Sequence, residues 1–221
     1  PYAFSSCWSM TLNSLPNSLL EVGPYAFSNC REITEITIPQ GITKISPFAF
    51  SGCLSLTNIV LHDNITEIGK GAFSLTKISE ITIPSKVEQI NDMTFQWCGL
   101  LTNITLHNDI TKIGENAFEH SGLTDIIIPS KVKTIYNKTF SWCEDLNSIS
   151  LPEGIESIGE EAFKNCNSLE QITLPNSVAT IARSAFQNCH SLEEVTLPEN
   201  ASIGKHAFLG SPWGEENNIG V

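Results

Sequence analysis

The chain has 221 residues, with 12 basic side chains against 24 acidic ones and a formal net charge of −12, a field that disfavours nucleic acid and anionic membrane as partners. No apolar run reaches the roughly 18 residues that a membrane-spanning helix requires. The length suits one or two ordinary domains, yet no Gly/Ser/Pro-rich linker divides it.

The chain opens at Pro1 in mid-unit, without Met or a signal segment, and so reads as a fragment or a processed product. Phe4 then begins a series that runs through Phe27, Phe50, Phe73, Phe95, Phe118, Phe140, Phe163, Phe186 and Phe208, every interval being 22 or 23 residues. A single irregular core does not space its aromatics this way; an array of stacked coils does.

The unit from Ala26 to Ile45, AFSNCREITEITIPQGITKI, shows the frame. Ala-Phe is followed three residues later by Cys, then by Ile33, Ile36 and Ile38, a Pro, and a later aliphatic pair, Ile42 and Ile45. The alternating, β-branched segment around Ile36 predicts a short strand with its isoleucines turned inward. Pro39, like Pro84, Pro129, Pro152, Pro175 and Pro198, cannot donate to a ladder and ends it. Successive strands should form one parallel sheet at about 4.8 Å spacing, so that ten coils span roughly 45–50 Å. The stretch through Ala-Phe-x-x-Cys is too short for a full helix and should form a 3₁₀ or single helical turn on the opposite side. One coil cannot bury enough apolar surface to offset its own ordering, so a lone unit should be unfolded.

The fourth and sixth units are each one residue short and lack the cysteine, carrying Ser74-Leu75-Thr76-Lys77 and Glu119-His120-Ser121-Gly122 in its place. The simplest expectation is that a shortened turn cannot present that side chain inward. Leu56–Cys98 and Leu101–Cys143 align without gaps, which points to a duplicated two-coil cassette of 45 residues. Paired features such as His62 with His107, or Trp97 with Trp142, therefore need duplication as their first explanation.

In the eighth unit Ile158-Gly159, Ala162-Phe163, Cys166, Leu169, Ile172, Leu174-Pro175, Val178 and Ile181 complete the frame I-G-x-x-A-F-x-x-C-x-x-L-x-x-I-x-L-P-x-x-I-x-x-I. That frame resembles the BspA-like leucine-rich repeat family over residues 1–210. The resemblance implies a right-handed leucine-rich-repeat solenoid of about ten coils, with short parallel strands on a concave face and 3₁₀ or single-turn helices on the convex side. It also implies a cell-surface or secreted protein of the adhesin type. Fold follows from such a match directly, function only by analogy. After residue 210 the frame breaks, and residues 211–221 read as a polar C-terminal cap or tail.

Candidate chemical groups fall into scaffold columns. Cys7, Cys30, Cys53, Cys98, Cys143, Cys166 and Cys189 share one column without any C-x-x-C pair, so they read as small buried core residues whose parallel Cβ directions oppose disulfides between coils. His62 and His107 stand two coils apart in the proline column, and His120, His190 and His206 show no mutual partner. No nucleophile elbow, zinc-protease helix, phosphate loop or EF-hand loop occurs. The chain reads as a non-enzyme without cofactor or metal.

The surface remains as the candidate site. Flanking the central residue of the strands are Glu35 and Thr37, Glu80 and Thr82, Asn103 and Thr105, Asp125 and Ile127, Gln171 and Thr173, Glu194 and Thr196. One column is nearly a threonine ladder and its neighbour is acidic or amide. Threonine suits an exposed strand on structural grounds alone; the functional reading makes this face the partner-binding surface, suited to a basic host extracellular-matrix or surface protein. Trp97 and Trp142 lie where other coils place Ser, Asn or Gly. Their indoles either fold against the neighbouring shortened coil or stand outward as anchors for a partner. A monomeric binding module is thus expected, with a structural spacer or stalk and a carbohydrate-binding surface protein as the alternatives.

Overall fold

The computed structural model describes residues 1–219. Its strands are, in chain order, β1 (Glu35–Thr37), β2 (Lys44–Ile45), β3 (Asn58–Val60), β4 (Glu67–Ile68), β5 (Glu80–Thr82), β6 (Gln89–Ile90), β7 (Asn103–Thr105), β8 (Lys112–Ile113), β9 (Asp125–Ile127), β10 (Thr134–Ile135), β11 (Ser148–Ser150), β12 (Ser157–Ile158), β13 (Gln171–Thr173), β14 (Thr180–Ile181), β15 (Glu194–Thr196) and β16 (Ser202–Ile203), followed by one six-residue helix, α1 (Pro212–Asn217). Each three-residue strand turns its middle residue inward and its two flanks to solvent, as period-2 alternation dictates. Pairing is parallel and in register from coil to coil, Ile36 lying against Ile59 and Ile45 against Ile68.

The sheet expected from the I-x-I/L alternation is therefore one wall of a parallel β-solenoid, and the two-residue strands build a second wall. Alternation over only two residues is too brief to announce a strand, so the later aliphatic pair gave no sign of it. Isolated bridges from Ser14 to Thr37 and from Val22 to Ile45 carry both walls into the first coil.

The third wall is the Ala-Phe-x-x-Cys segment. Within one coil, the N–H groups of Ala26, Ser28 and Cys30 close successive turns onto Gly23, Tyr25 and Phe27. The alternate N–H groups of Tyr25, Phe27 and Asn29 reach the next coil, donating to the carbonyls of Pro47, Ala49 and Ser51. The expected tight turns are thus present, and a continuous 3₁₀ helix is not, because Tyr25 and Asn29 sit in the left-handed region at φ 57° and 60°. The same two positions, two residues before and two after each phenylalanine, are left-handed in all ten coils. Gly71 occupies one of them at φ 60°, and its missing Cβ makes room for the ring of Phe48 from the preceding coil.

Enclosed by the three walls, the phenylalanines stack face to face. Neighbouring centroids are 5.5 Å apart at Phe27–Phe50 and 5.0 Å at Phe186–Phe208, with ring planes within 4° of parallel at both. Phe50 through Phe208 are fully buried. At the far end, Ser211 caps α1 by accepting the Gly214 N–H, and the edge of Trp213 meets the last ring of the series, Phe208, at 4.9 Å. Residues 220 and 221 of the expected 211–221 cap lie outside the described residues.

The first wall is not continuous. Its strands pair as four doublets, β1 with β3, β5 with β7, β9 with β11 and β13 with β15. In the first strand of each doublet the following N–H, that of Ile38, Ile83, Ile128 or Leu174, donates to Val60, Thr105, Ser150 or Thr196 in the next coil. The equivalent N–H groups of Leu61, Leu106 and Leu151 make no such bond among the described residues. Two of the three seams, β3/β5 and β7/β9, precede the two shortened coils, where the strand begins one residue sooner after its phenylalanine. The second wall breaks at the same two steps, β4/β6 and β8/β10. Nothing in the sequence accounts for the third seam, β11/β13.

Candidate functional site

The first wall places every strand residue expected at the site on its outer face. Glu35, Glu80, Asp125 and Glu194 are exposed and none takes part in an ion pair among the described residues. Thr37, Thr82, Thr105, Thr173 and Thr196 form the adjoining exposed column, interrupted by Val60, by Ser150 and by Ile127, which is 75% exposed. Asn103 and Gln171 complete the acidic-and-amide column. None of the 12 basic residues of the chain lies on a three-residue strand. The cations gather instead on the other walls and corners, where Lys44 pairs with Glu67 across the second wall and Lys131 with Asp109. Two shallow depressions interrupt the wall at seams, one lined by Asn58, Leu61 and Glu80, the other by Ser148, Leu151 and Gln171.

Trp97 and Trp142 stand on the turn wall, 50% and 40% exposed. They do not stand alone. His120 of the coil between them is inserted as the middle ring, 3.7 Å from Trp97 and 5.2 Å from Trp142, its plane within 13° of each. Among the described residues no histidine pairs with another, and His120 instead finds its partners through an offset of two residues after phenylalanine that it shares with both tryptophans, which is the signal in the sequence that joins the three. That offset also revises why Ser, Asn and Gly recur there. The position is left-handed in every coil, a conformation that Gly and Asn adopt most cheaply. Each indole has one face against the imidazole, and both remain substantially exposed. Burial between the indoles lowers the His120 pKa, against the opposing charges of Glu119 and Glu144.

His62 and His107 are staples between coils. In each, Nδ1 accepts an N–H two residues on, from Asn64 or Asp109, while Nε2 lies 2.8 Å and 3.1 Å from the carbonyl oxygens of Pro39 and Pro84. Both ring nitrogens are thus engaged with main-chain groups, a structural role that ties each coil to the one before it.

The cysteine column has a function in the scaffold that its sequence spacing did not disclose. Each buried thiol donates to the main-chain carbonyl of the phenylalanine one coil back, as Cys53 does to Phe27 at 3.2 Å and Cys189 to Phe163 at 3.0 Å. In the shortened coils, Thr76 and Ser121 occupy the same column, buried and pointing inward, and touch the thiols of Cys98 and Cys143 at 3.4 Å and 3.3 Å. The expectation that a shortened turn cannot present this side chain inward is therefore overturned: the residue lost lies beyond the column, and a hydroxyl replaces the thiol. Ser211 repeats the substitution in the last coil. Burial pushes the thiols of Cys53, Cys143 and Cys189 up to about 12 and that of Cys98 to about 11, so none is a ready nucleophile.

Two stretches, residues 1–124 and 111–218, match the BspA type leucine rich repeat region, in six copies. Among solved structures, a leucine rich cell surface protein from Faecalibacterium prausnitzii aligns with 93% of this chain and 78% of its own at 23% identity and a TM-score of 0.54. The pneumococcal vaccine antigen PcpA aligns over 95% of this chain and 72% of its own, also at 23% identity, with a TM-score of 0.55. These two likenesses speak to the fold. No curated protein matches the chain significantly.

Proposed function

The chain belongs to the BspA-type leucine-rich repeat family, and from that premise we propose that it is a non-enzymatic protein-binding module of a surface-exposed or secreted protein, adhesin-like in action. Its contact surface is the first wall, the face of the three-residue strands. The observation that carries this reading is the segregation of charge: Glu35, Glu80, Asp125 and Glu194 stand exposed without cationic neighbours on their strands, while the cations of the chain are placed elsewhere. Such a face steers a basic partner electrostatically and weakens with salt. The solenoid supplies the rest, since stacked coils turn short strands into one extended surface.

The experiment is capture of basic extracellular-matrix proteins by immobilised protein, beside a variant carrying Glu35→Lys, Glu80→Lys, Asp125→Lys and Glu194→Lys. All four side chains are exposed, so the variant should fold normally by circular dichroism. Retained partners should lose about tenfold or more in affinity, with a shallower salt dependence. Undiminished binding by the folded variant would remove the strand face from consideration. A stalk that projects another domain is the second reading, favoured by the unbroken ring stack, and it gains if neither this face nor the Trp97/Trp142 ridge retains any partner.

A further inference from the structure

One seam of the first wall opens beside a charge. Between β3 and β5 the strands part, leaving a depression of about 350 Å³, near the lower end of the roughly 300–1,000 Å³ typical of ligand sites. Val60, 50% exposed, and the half-buried Leu61 supply apolar lining. Glu80 is the only ionisable residue of that lining and takes part in no ion pair among the described residues. The exposed carboxamides of Asn58 and Asn103 flank it in the same column, one coil before and one coil after. The Leu61 N–H has no partner in the next coil among the described residues. The depression at the third seam lacks this combination, for Ser148 and Gln171 occupy the column there and Ser150 stands in the place of Val60. Its lining carboxylate, Glu153, lies beyond the strand.

We propose that the depression between β3 and β5 receives one arginine side chain of the partner protein; the inference rests on the strand face being the contact surface. Charge selects a cation, since an aliphatic side chain would cover the Glu80 carboxylate without pairing it, at a desolvation cost. Between the two long cations, the surroundings of Glu80 decide. A guanidinium presents five N–H donors in one plane, enough to pair with the carboxylate and still reach the carboxamide oxygen of Asn58 or Asn103 and the hydroxyls of Thr82 and Thr105, all of which line the depression. A lysine ammonium is a compact, strongly hydrated charge that loses more on leaving water beside Val60 and Leu61. The arginine stem lies over those two aliphatic side chains while its head stays at Glu80. A main-chain carbonyl of the partner then accepts the free Leu61 N–H. A single residue suffices, and the partner needs no periodicity.

Nuclear magnetic resonance titration of the isotope-labelled protein tests this, with acetyl-Gly-Arg-Gly-amide and acetyl-Gly-Lys-Gly-amide as probes at low salt. The arginine peptide should move the Leu61 and Thr82 amide signals at the lowest concentrations and bind about threefold more tightly than the lysine peptide. Glu80→Gln should weaken it about fivefold, whereas Glu194→Gln, an equal loss of charge on the same face away from the depression, should leave it nearly unchanged. Both side chains are exposed, so both variants should fold normally. Equal affinity for the two peptides, equal losses in the two variants, or unmoved Leu61 and Thr82 signals would overturn the arginine site while leaving the acidic contact face in place. Undiminished capture of matrix proteins by the variant with four lysines would discard the face and the site together.

Discussion

At the residue scale, one column decides how each coil is tied to the one before it. A thiol reaches back to the preceding phenylalanine carbonyl, whereas the shorter hydroxyls of Thr76 and Ser211 bond the carbonyl of their own coil, at 2.8 Å each. The thiols are consequently neutral in the folded chain well past their ordinary value of 9.0, with Cys98 held up to about 11 and Cys143 to about 12 by burial. Unfolded thiols release their protons near 9, so above that pH the folded state binds more protons than the unfolded one, and stability must fall as pH rises from about 9 toward 12. Replacing Cys98→Thr and Cys143→Ser, substitutions the column already uses, should flatten that decline; urea midpoints at neutral and alkaline pH would show it, and an unchanged slope would refute the linkage. Sequence spacing alone placed all seven cysteines in one inward column, of which six are buried and Cys7, in the first coil, only half-buried, since periodicity fixes the column and neighbouring coils supply the burial. It did not show the carbonyl they meet, because that bond joins residues in different coils. The left-handed columns were hidden for a different reason: Trp97, His120 and Trp142 occupy a position whose chemistry in other coils looked merely polar.

At the element scale, the strands are too short to hold themselves and exist only through pairing across coils. A loss of one residue after Phe73 and again after Phe118 shifts the strand entry, and both strand walls part at the step into each of those coils, while the turn wall stays bonded across the same steps through Phe50 to Ala72 and Phe95 to Ala117. The doublet pattern makes a specific prediction for amide exchange. Leu61, Leu106 and Leu151 should exchange about tenfold or more faster than Ile38, Ile83, Ile128 and Leu174, because only the second group donates across coils. Comparable protection in both sets would contradict the seams. The first wall was legible in the sequence from the alternation around Ile36 and its counterparts; the second was not, because Lys44-Ile45 or Ser157-Ile158 alone carries no period. The shortened units were legible as deletions, and their consequence for pairing was not.

At the scale of the whole molecule, stability is shared between neighbouring coils rather than gathered in one centre. Phe118 is fully buried between Phe95 and Phe140, at 5.7 and 5.5 Å. Phe118→Ala should therefore cost about 3–5 kcal/mol in denaturant unfolding, whereas Phe4→Ala, at a ring 43% exposed, should cost far less. Equal losses would argue against a stacked spine. The ten phenylalanines made the coil count and the long shape readable before any coordinates, and the acidic and threonine columns followed from alternation on the strands. Which of three walls meets a partner was not readable, because outward residues are free of the packing constraint that writes the repeat. The most direct measurement is hydrogen–deuterium exchange of the protein with and without a captured basic matrix protein. Binding to the strand face should slow exchange at Leu61, Leu106, Leu151 and the adjoining strands, while the turn wall around Trp97 and Trp142 stays unchanged; protection confined to the turn wall would contradict the account.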